Sequence, residues 1–218
     1  MIDFANFTNY NRTEEELQEM LLFCIMVAGK RSDAAARSLD GFLAWVRKSA
    51  DQWEDATPFE CIRAITRGSR AGGPSAVAEA IKVYNNLNPG LGIGQLRRMG
   101  QAMTDVAYLF NTYLKEVSFE SLCRTHGIGP KTASLFLVHS REGERRAILD
   151  THLLKYLRKH EERLGLEWGV PQHTPANIRV YRELEAAVLA EADRLEMTPA
   201  AFDLWVWRQY SESVKEGT

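Results

Sequence analysis

At 218 residues, 45% of them hydrophobic and 26% charged, the chain is long enough for one large domain or two small lobes sharing a cleft. That balance excludes a mostly disordered chain, a collagen-like repeat and a disulfide-stapled miniprotein. The 27 Lys and Arg nearly balance the 29 Asp and Glu, for a net charge of −2, so no long-range electrostatic hold on nucleic acid is indicated, although a local basic strip is still allowed.

Met1 to Tyr10 is polar and lacks a charged-then-apolar signal pattern. The longest apolar run, Met20 to Ala28, is too short to span a bilayer. A soluble, intracellular protein is expected. Thr13-Glu14-Glu15-Glu16 reads as a capping box, and Leu17, Leu21, Leu22 and Ile25 follow at helical spacing. Ser32-Asp33 starts a second helix carrying Ala36, Leu39, Phe42 and Leu43. Thr57 caps a third, with Pro58 in its first turn and Cys61, Ile62 and Ile65 facing inward. The run from Arg70 to Pro74 is a break, and Pro74 begins a helix through Tyr84. Asn85 to Gly94 is a loop, Leu96 to Leu114 a helix with a break at Gly100, and Glu183–Leu195 and Pro199–Tyr210 two closing helices. Little sheet is expected, because few stretches alternate with period two. Cys24, Cys61 and Cys123 form neither a CxxC motif nor a four-thiolate run for an iron–sulfur cluster, and read as reduced thiols. The spaced glycines Gly90, Gly92 and Gly94 read as a connector, since a phosphate cradle needs a preceding strand and a following GK[ST].

Ser118 to Lys159 holds the chemistry. A short helix, Ser118 to Arg124, runs into the tight turn Gly127-Ile128-Gly129, and Pro130 suits the first position of a second helix capped by Gly129. Backbone N–H groups at such a helix start bind an anion, phosphate above all. Lys131 sits in that first turn, where the helix dipole disfavours a cation and favours the neutral amine. This matters for a nucleophile, because an ordinary lysine is neutral roughly once in a thousand at pH 7.4. The plain alternative is a surface lysine at a helix start. After an apolar helix and the polar turn Glu142 to Arg146, Ala147-Ile148-Leu149 leads inward to Asp150, which begins another helix. Asp150 reads as a cap and can face a cleft at the same time. His152 reads as a capping-turn histidine.

Together these segments resemble the helix-hairpin-helix DNA glycosylase superfamily. Gly127-Ile128-Gly129-Pro130-Lys131-Thr132-Ala133 is similar to that family's hairpin with its catalytic lysine, and Leu149-Asp150-Thr151-His152 to the segment bearing its essential aspartate. No cysteine follows Asp150, so the iron–sulfur branch fits poorly, and Lys131 argues against the alkylation-repair members that lack it. The 8-oxoguanine glycosylases keep the lysine without a cluster, and Phe202 to Trp207 is similar to the last helix of their compact archaeal type. An amphipathic closing helix with Phe202, Leu204 and Trp205 in the core explains that segment too.

The resemblance implies an all-α fold in which two helical lobes flank a DNA-binding cleft. One lobe is built from both chain ends, residues 1–32 with 147–218. The other is 33–146, ending in the helix-hairpin-helix at 118–140. It implies Lys131 as nucleophile on a damaged nucleoside in double-stranded DNA and Asp150 as the carboxylate beside it. Gly127, Ile128, Gly129, Thr132, His152 and Lys155 would hold the DNA backbone, with Arg158 a weaker candidate. Trp207 and Asp203 would line the pocket for the flipped base, one of Trp205 and Trp207 being core. Lys30 would fill the gap in the duplex, its plain reading being a solvated turn lysine. No redox cofactor or divalent metal is implied, and a monovalent cation on hairpin carbonyls would leave no sequence signature. A monomer without membrane attachment is expected, cytoplasmic and nucleoid-associated in a prokaryote or nuclear in a eukaryote, not secreted. The implied activity is excision of 8-oxoguanine followed by strand cleavage. The alternatives are the same chemistry on another damaged base, or a non-catalytic DNA-binding module.

Overall fold

A computed structural model describes residues 2–27, 31–49, 51–70, 72–110, 113–166 and 169–212. Among these, every regular element is a helix, and no helix is long and apolar enough to cross a membrane. Cys24 and Cys61 are buried and Cys123 half-buried, all three free. By contact the chain divides into two consecutive compact units, Met1–Ile128 and Gly129–Thr218. These units differ from the expected lobes of 1–32 with 147–218 and 33–146.

The first unit is organised around α1 (Glu14–Met26). Thr13 accepts from the Glu16 amide and Glu16 from the Thr13 amide, closing the capping box. Leu17 and every residue from Met20 to Met26 are buried, so this helix is central, not a one-faced surface helix. It packs on α2 (Ser32–Arg47), α3 (Pro58–Gly68) and α5 (Leu96–Leu109). That packing places the N-terminal segment with the middle of the chain. Thr57 and Glu60 form the second capping box, with Pro58 at the start of α3.

Gly100 does not break α5. A Cβ there would lie 2.5 Å from the Pro74 carbonyl oxygen of α4 (Gly73–Leu87), so the glycine is the close-approach point of two packed helices. The glycine loop is shorter than expected, because α4 runs on to Leu87. The Asn85 side chain then accepts from the Ile93 amide and donates to its carbonyl (2.8 and 2.9 Å), which fixes the loop as a connector. The unit ends in α6 (Phe119–Arg124), capped by Ser118.

The second unit holds α7 (Pro130–Ser140), α8 (Thr151–Lys159), α9 (Glu161–Leu164), α10 (Ile178–Arg194) and α11 (Pro199–Glu212). Its core joins Leu149, Leu153 and Leu157 to Tyr181, Leu184 and Val188 of α10 and Phe202 and Val206 of α11. α11 packs on α7, α8 and α10. The Tyr181 hydroxyl donates to the Ala147 carbonyl (2.6 Å), which holds the strand-like approach to α8 in place. Glu191, 2% exposed, accepts from Arg163, Arg194 and the Tyr156 hydroxyl. The two guanidiniums hold its carboxyl far below the usual carboxylate range.

Candidate active site

The approach to the site begins at the end of α6. Thr125 receives the Ile128 amide (3.1 Å). Gly127 lies at φ +78°, and a Cβ on it would stand 2.8 Å from the Ala102 Cβ, so both backbone conformation and space require glycine. Arg98 reaches its carbonyl with a long hydrogen bond (3.4 Å). Ile128 is buried. With its amide taken by the turn, it anchors the hairpin and has no free N–H for an anion.

Gly129 is different. It caps α7 at φ −94° and ψ 176°, a conformation open to any residue, and a Cβ there would meet nothing within 4 Å. The fold does not require glycine at 129. What glycine leaves is open space beside the unpaired amides that begin every helix. Pro130 takes the first helical position, as expected, and half-buried Lys131 the second, while Thr132 is already buried.

Asp150 is the N-cap of α8. One carboxylate oxygen, Oδ1, accepts from the amides of His152 and Leu153 (2.9 and 2.8 Å). Among the described residues no hydrogen bond reaches Oδ2. Burial pushes the Asp150 carboxyl above the usual range, and the negative charge of Asp203 pushes it further; the Leu153 amide, Lys131 and His152 pull it back. Lys131 of α7, His152 of α8 and Asp203 of α11 therefore each lie within electrostatic reach of Asp150. His152 is half-buried, and its Nδ1 is enclosed without a hydrogen-bond partner. The cap of α8 is thus also the carboxylate on which Lys131, His152 and Asp203 bear.

Sequence reasoning missed His139. It is fully buried in the last turn of α7, and its Nε2 stands 3.2 Å from Oδ2 of Asp203, a carboxylate only 16% exposed. The available signal was a histidine closing the apolar run Leu135 to Val138, since a ring buried there needs a polar partner. The same pair settles the place of Asp203, whose carboxylate is turned to the α7 side of α11.

Trp207 follows Asp203 by one helical turn and shares its face of α11. Its indole is 43% exposed. Trp205, 37% exposed, is not a core residue as Trp or Phe at the centre of a helix face would be; it stacks on Phe202 and meets Tyr156 edge-on (5.8 and 5.9 Å). The buried aromatic of α11 is Phe202, and Leu204 is half-buried. Lys155 is exposed on α8, whereas the Arg158 guanidinium donates to the Pro171 carbonyl (2.7 Å) and ties down a loop. Lys30 lies outside the described residues. Among the described residues no group of three or more His, Cys, Asp or Glu is placed to hold a metal ion.

The chain is similar over most of its length to solved 8-oxoguanine DNA glycosylases. The enzyme of Thermotoga maritima matches with a TM-score of 0.62 and 23% identity, covering 94% of this chain and 85% of that one. The 8-oxoguanine glycosylase/lyase of Methanocaldococcus jannaschii, solved with a 15mer DNA containing 8-oxoguanine, matches with a TM-score of 0.61 and 20% identity, covering 95% and 87%. No family model matches the sequence, and no curated protein matches it either. At these identities the likeness establishes the fold, which is the helical glycosylase fold that the motifs imply.

Proposed function

We propose that this chain is a base-excision DNA glycosylase and abasic-site lyase that removes oxidised guanine from double-stranded DNA. The observation that carries the reading is the placement of Lys131 and Asp150, from two different helices, in one electrostatic neighbourhood beside the open start of α7. An ordinary cap has no reason to meet a second, half-buried carboxylate there. The neighbours' fold and activities support the same reading.

In this scheme the damaged nucleotide leaves the stack, because its sugar cannot be reached inside the duplex. The amides of Gly129 and the first turn of α7 receive a backbone phosphate, and Lys155 adds a solvent-side cation. Trp207 stacks on the extruded base, and Asp203, one turn away, accepts from its N–H edge. The neutral Lys131 amine attacks C1′ and the bond from C1′ to the base breaks, the base taking the electron pair and then a proton. Asp150 faces the positive charge that develops on the sugar. Loss of the ring oxygen from C1′ gives an imine between Lys131 and the opened sugar. Removal of the neighbouring C2′ proton then expels the 3′ phosphate and cuts the strand.

Borohydride reduces such an imine to a stable amine, so trapping tests the reading. Duplexes would carry 8-oxoguanine, an oxidised pyrimidine, an abasic site or no lesion. The expected result is a covalent adduct with the 8-oxoguanine and abasic duplexes that disappears in Lys131→Gln. A Lys131-dependent adduct with the oxidised pyrimidine alone would reassign the substrate. Tight binding without any adduct would overturn the lyase assignment and favour a binding module.

A further inference from the structure

Behind the proposed nucleophile and carboxylate, one hydroxyl ties their two supports together. Tyr181 of α10 is fully buried. Its hydroxyl donates to the Ala147 carbonyl (2.6 Å) and stands 3.3 Å from Oγ of Ser134, an α7 residue equally closed to solvent. A phenol has one hydrogen and can also accept, so a single hydroxyl serves both contacts. Ser134 follows Lys131 by three positions and is its neighbour on α7. Ala147 begins the approach that ends at Asp150. That approach is held along its length: the Ala147 amide donates to Glu185 of α10 (3.1 Å), Thr174 donates to the Leu149 carbonyl (2.7 Å), and the Asp150 amide donates to the Ile148 carbonyl (2.6 Å). A buried phenol is satisfied by one partner, and the Ala147 carbonyl would do. The second contact goes to the helix that carries Lys131.

We propose that Tyr181 is a positioning residue, whose hydroxyl bridges α7 to the approach of α8 and so fixes the separation between the Lys131 amine and the Asp150 carboxylate. This rests on the glycosylase reading for its catalytic consequence, but not for the bridge itself. Attack at C1′ needs the amine at the sugar and the carboxylate facing the developing charge together, and a misplacement of about 1 Å can cost on the order of a hundredfold in rate. The polar turn between α7 and α8 is paired to the same helix that bears Tyr181: Arg145 meets Asp193 and Arg146 meets Glu185. α10 is therefore the frame behind both supports, and Tyr181 is a point at which that frame meets each of them.

The test compares two tyrosine hydroxyls of the same unit in the whole chain. Tyr181→Phe keeps the ring and removes the bridge, Ser134→Ala removes only its α7 end, and Tyr156→Phe removes the hydroxyl that serves Glu191. Single-turnover trapping on the abasic duplex is followed over a range of protein concentrations. Tyr181→Phe should lower the maximal rate on the order of tenfold to a hundredfold, with the half-saturating concentration unchanged. Ser134→Ala should lower it severalfold, and the combined variant should be no slower than Tyr181→Phe, because both changes cut one bridge. Tyr156→Phe should melt lower and react at the parent's rate. Amide hydrogen exchange gives a readout that needs no activity: the Asp150 amide should exchange about tenfold faster in Tyr181→Phe and at the parent's rate in Tyr156→Phe. Parent-like exchange in Tyr181→Phe, a parent-like trapping rate in it, or equal slowing in Tyr156→Phe overturns the proposal. If thermal melts show Tyr181→Phe unfolded, Ser134→Ala decides, and its reacting at the parent's rate overturns the proposal equally. If exchange changes as stated but the parent traps no duplex, the bridge stands and the glycosylase reading fails.

Discussion

Two carboxylates of the second unit, buried Glu191 and half-buried Asp150, stand in opposite circumstances. Glu191 is surrounded by donors: two arginines and a tyrosine hydroxyl satisfy it, and its carboxyl is held far toward the charged form. Asp150 is enclosed with a second aspartate, has one oxygen without a described hydrogen bond, and is pushed toward the neutral form. The first arrangement is what a fold builds for itself. The second works against the fold, which is the pattern expected where a charge serves a reaction. A residue that the fold does not need, standing where chemistry would need it, is the physical mark of a site.

The largest expected effects break that comparison directly. Lys131→Gln and Asp150→Asn should each lower single-turnover excision by roughly a thousandfold or more, since one removes the nucleophile and the other the charge that faces the sugar cation. Asp150→Asn should nevertheless melt higher than the parent at neutral pH, because asparagine caps a helix as well as aspartate and carries no buried charge. The sign follows from the raised carboxyl: its contribution to stability is present below the ordinary aspartate range near pH 4 and is lost as pH rises through the folded-state value. The advantage of the variant should therefore grow from pH 4 to pH 7. An Asp150→Asn protein that melts lower at pH 7 would mean that the carboxylate is structural.

Glu191→Gln should behave in the opposite way. It should cost about 2 kcal/mol of stability, a fall of several degrees in Tm, with excision unchanged per folded molecule. A depressed carboxyl contributes stability above its unfolded value near pH 4, which disappears as pH falls through the folded-state value. The deficit of the variant should thus be full at pH 7 and shrink below pH 4. Thermal melts across pH 3 to 8 would show the two curves sloping in opposite directions.

The site was partly legible in the sequence for the same reason. Thr13, Thr57, Pro130 and Asp150 announce helix starts through local chemistry, and Lys131 and Asp150 carry the motif. Unit boundaries were not legible, because they depend on which buried faces meet: α1 is apolar on every side from Met20 to Met26, and nothing in that pattern says that it packs on α2, α3 and α5. Gly100 shows the same limit. Locally it reads as a break, and only the closeness of the Pro74 carbonyl explains it. His139 was hidden because its partner Asp203 lies 64 positions away.

A third pair sharpens the contrast at the hairpin. Gly127→Ala forces a side chain into a positive-φ position 2.8 Å from Ala102, and should destabilise the protein by about 1–3 kcal/mol. Gly129→Ala meets open space in an ordinary conformation. It should leave the Tm within about a degree of the parent while weakening duplex binding severalfold, because the methyl group stands where a phosphate would approach the amides. Equal loss of binding in both variants, each tracking its own loss of stability, would return Gly129 to the class of structural glycines.

The two tryptophans of α11 give the smallest and most specific separation. Trp205 stacks on Phe202 and meets Tyr156, so Trp205→Ala removes packing and should lower the Tm by a few degrees. Trp207 shares a helix face with Asp203 and exposes 43% of its surface. If that surface is the platform for the extruded base, Trp207→Ala should slow excision of 8-oxoguanine by roughly tenfold, a loss of about 1–2 kcal/mol of stacking, with little change in Tm. It should also leave trapping on a duplex that already lacks the base nearly unchanged. This last comparison is the discriminating one: an equal loss on the abasic duplex would place Trp207 against the DNA backbone, and take base recognition away from this face of α11.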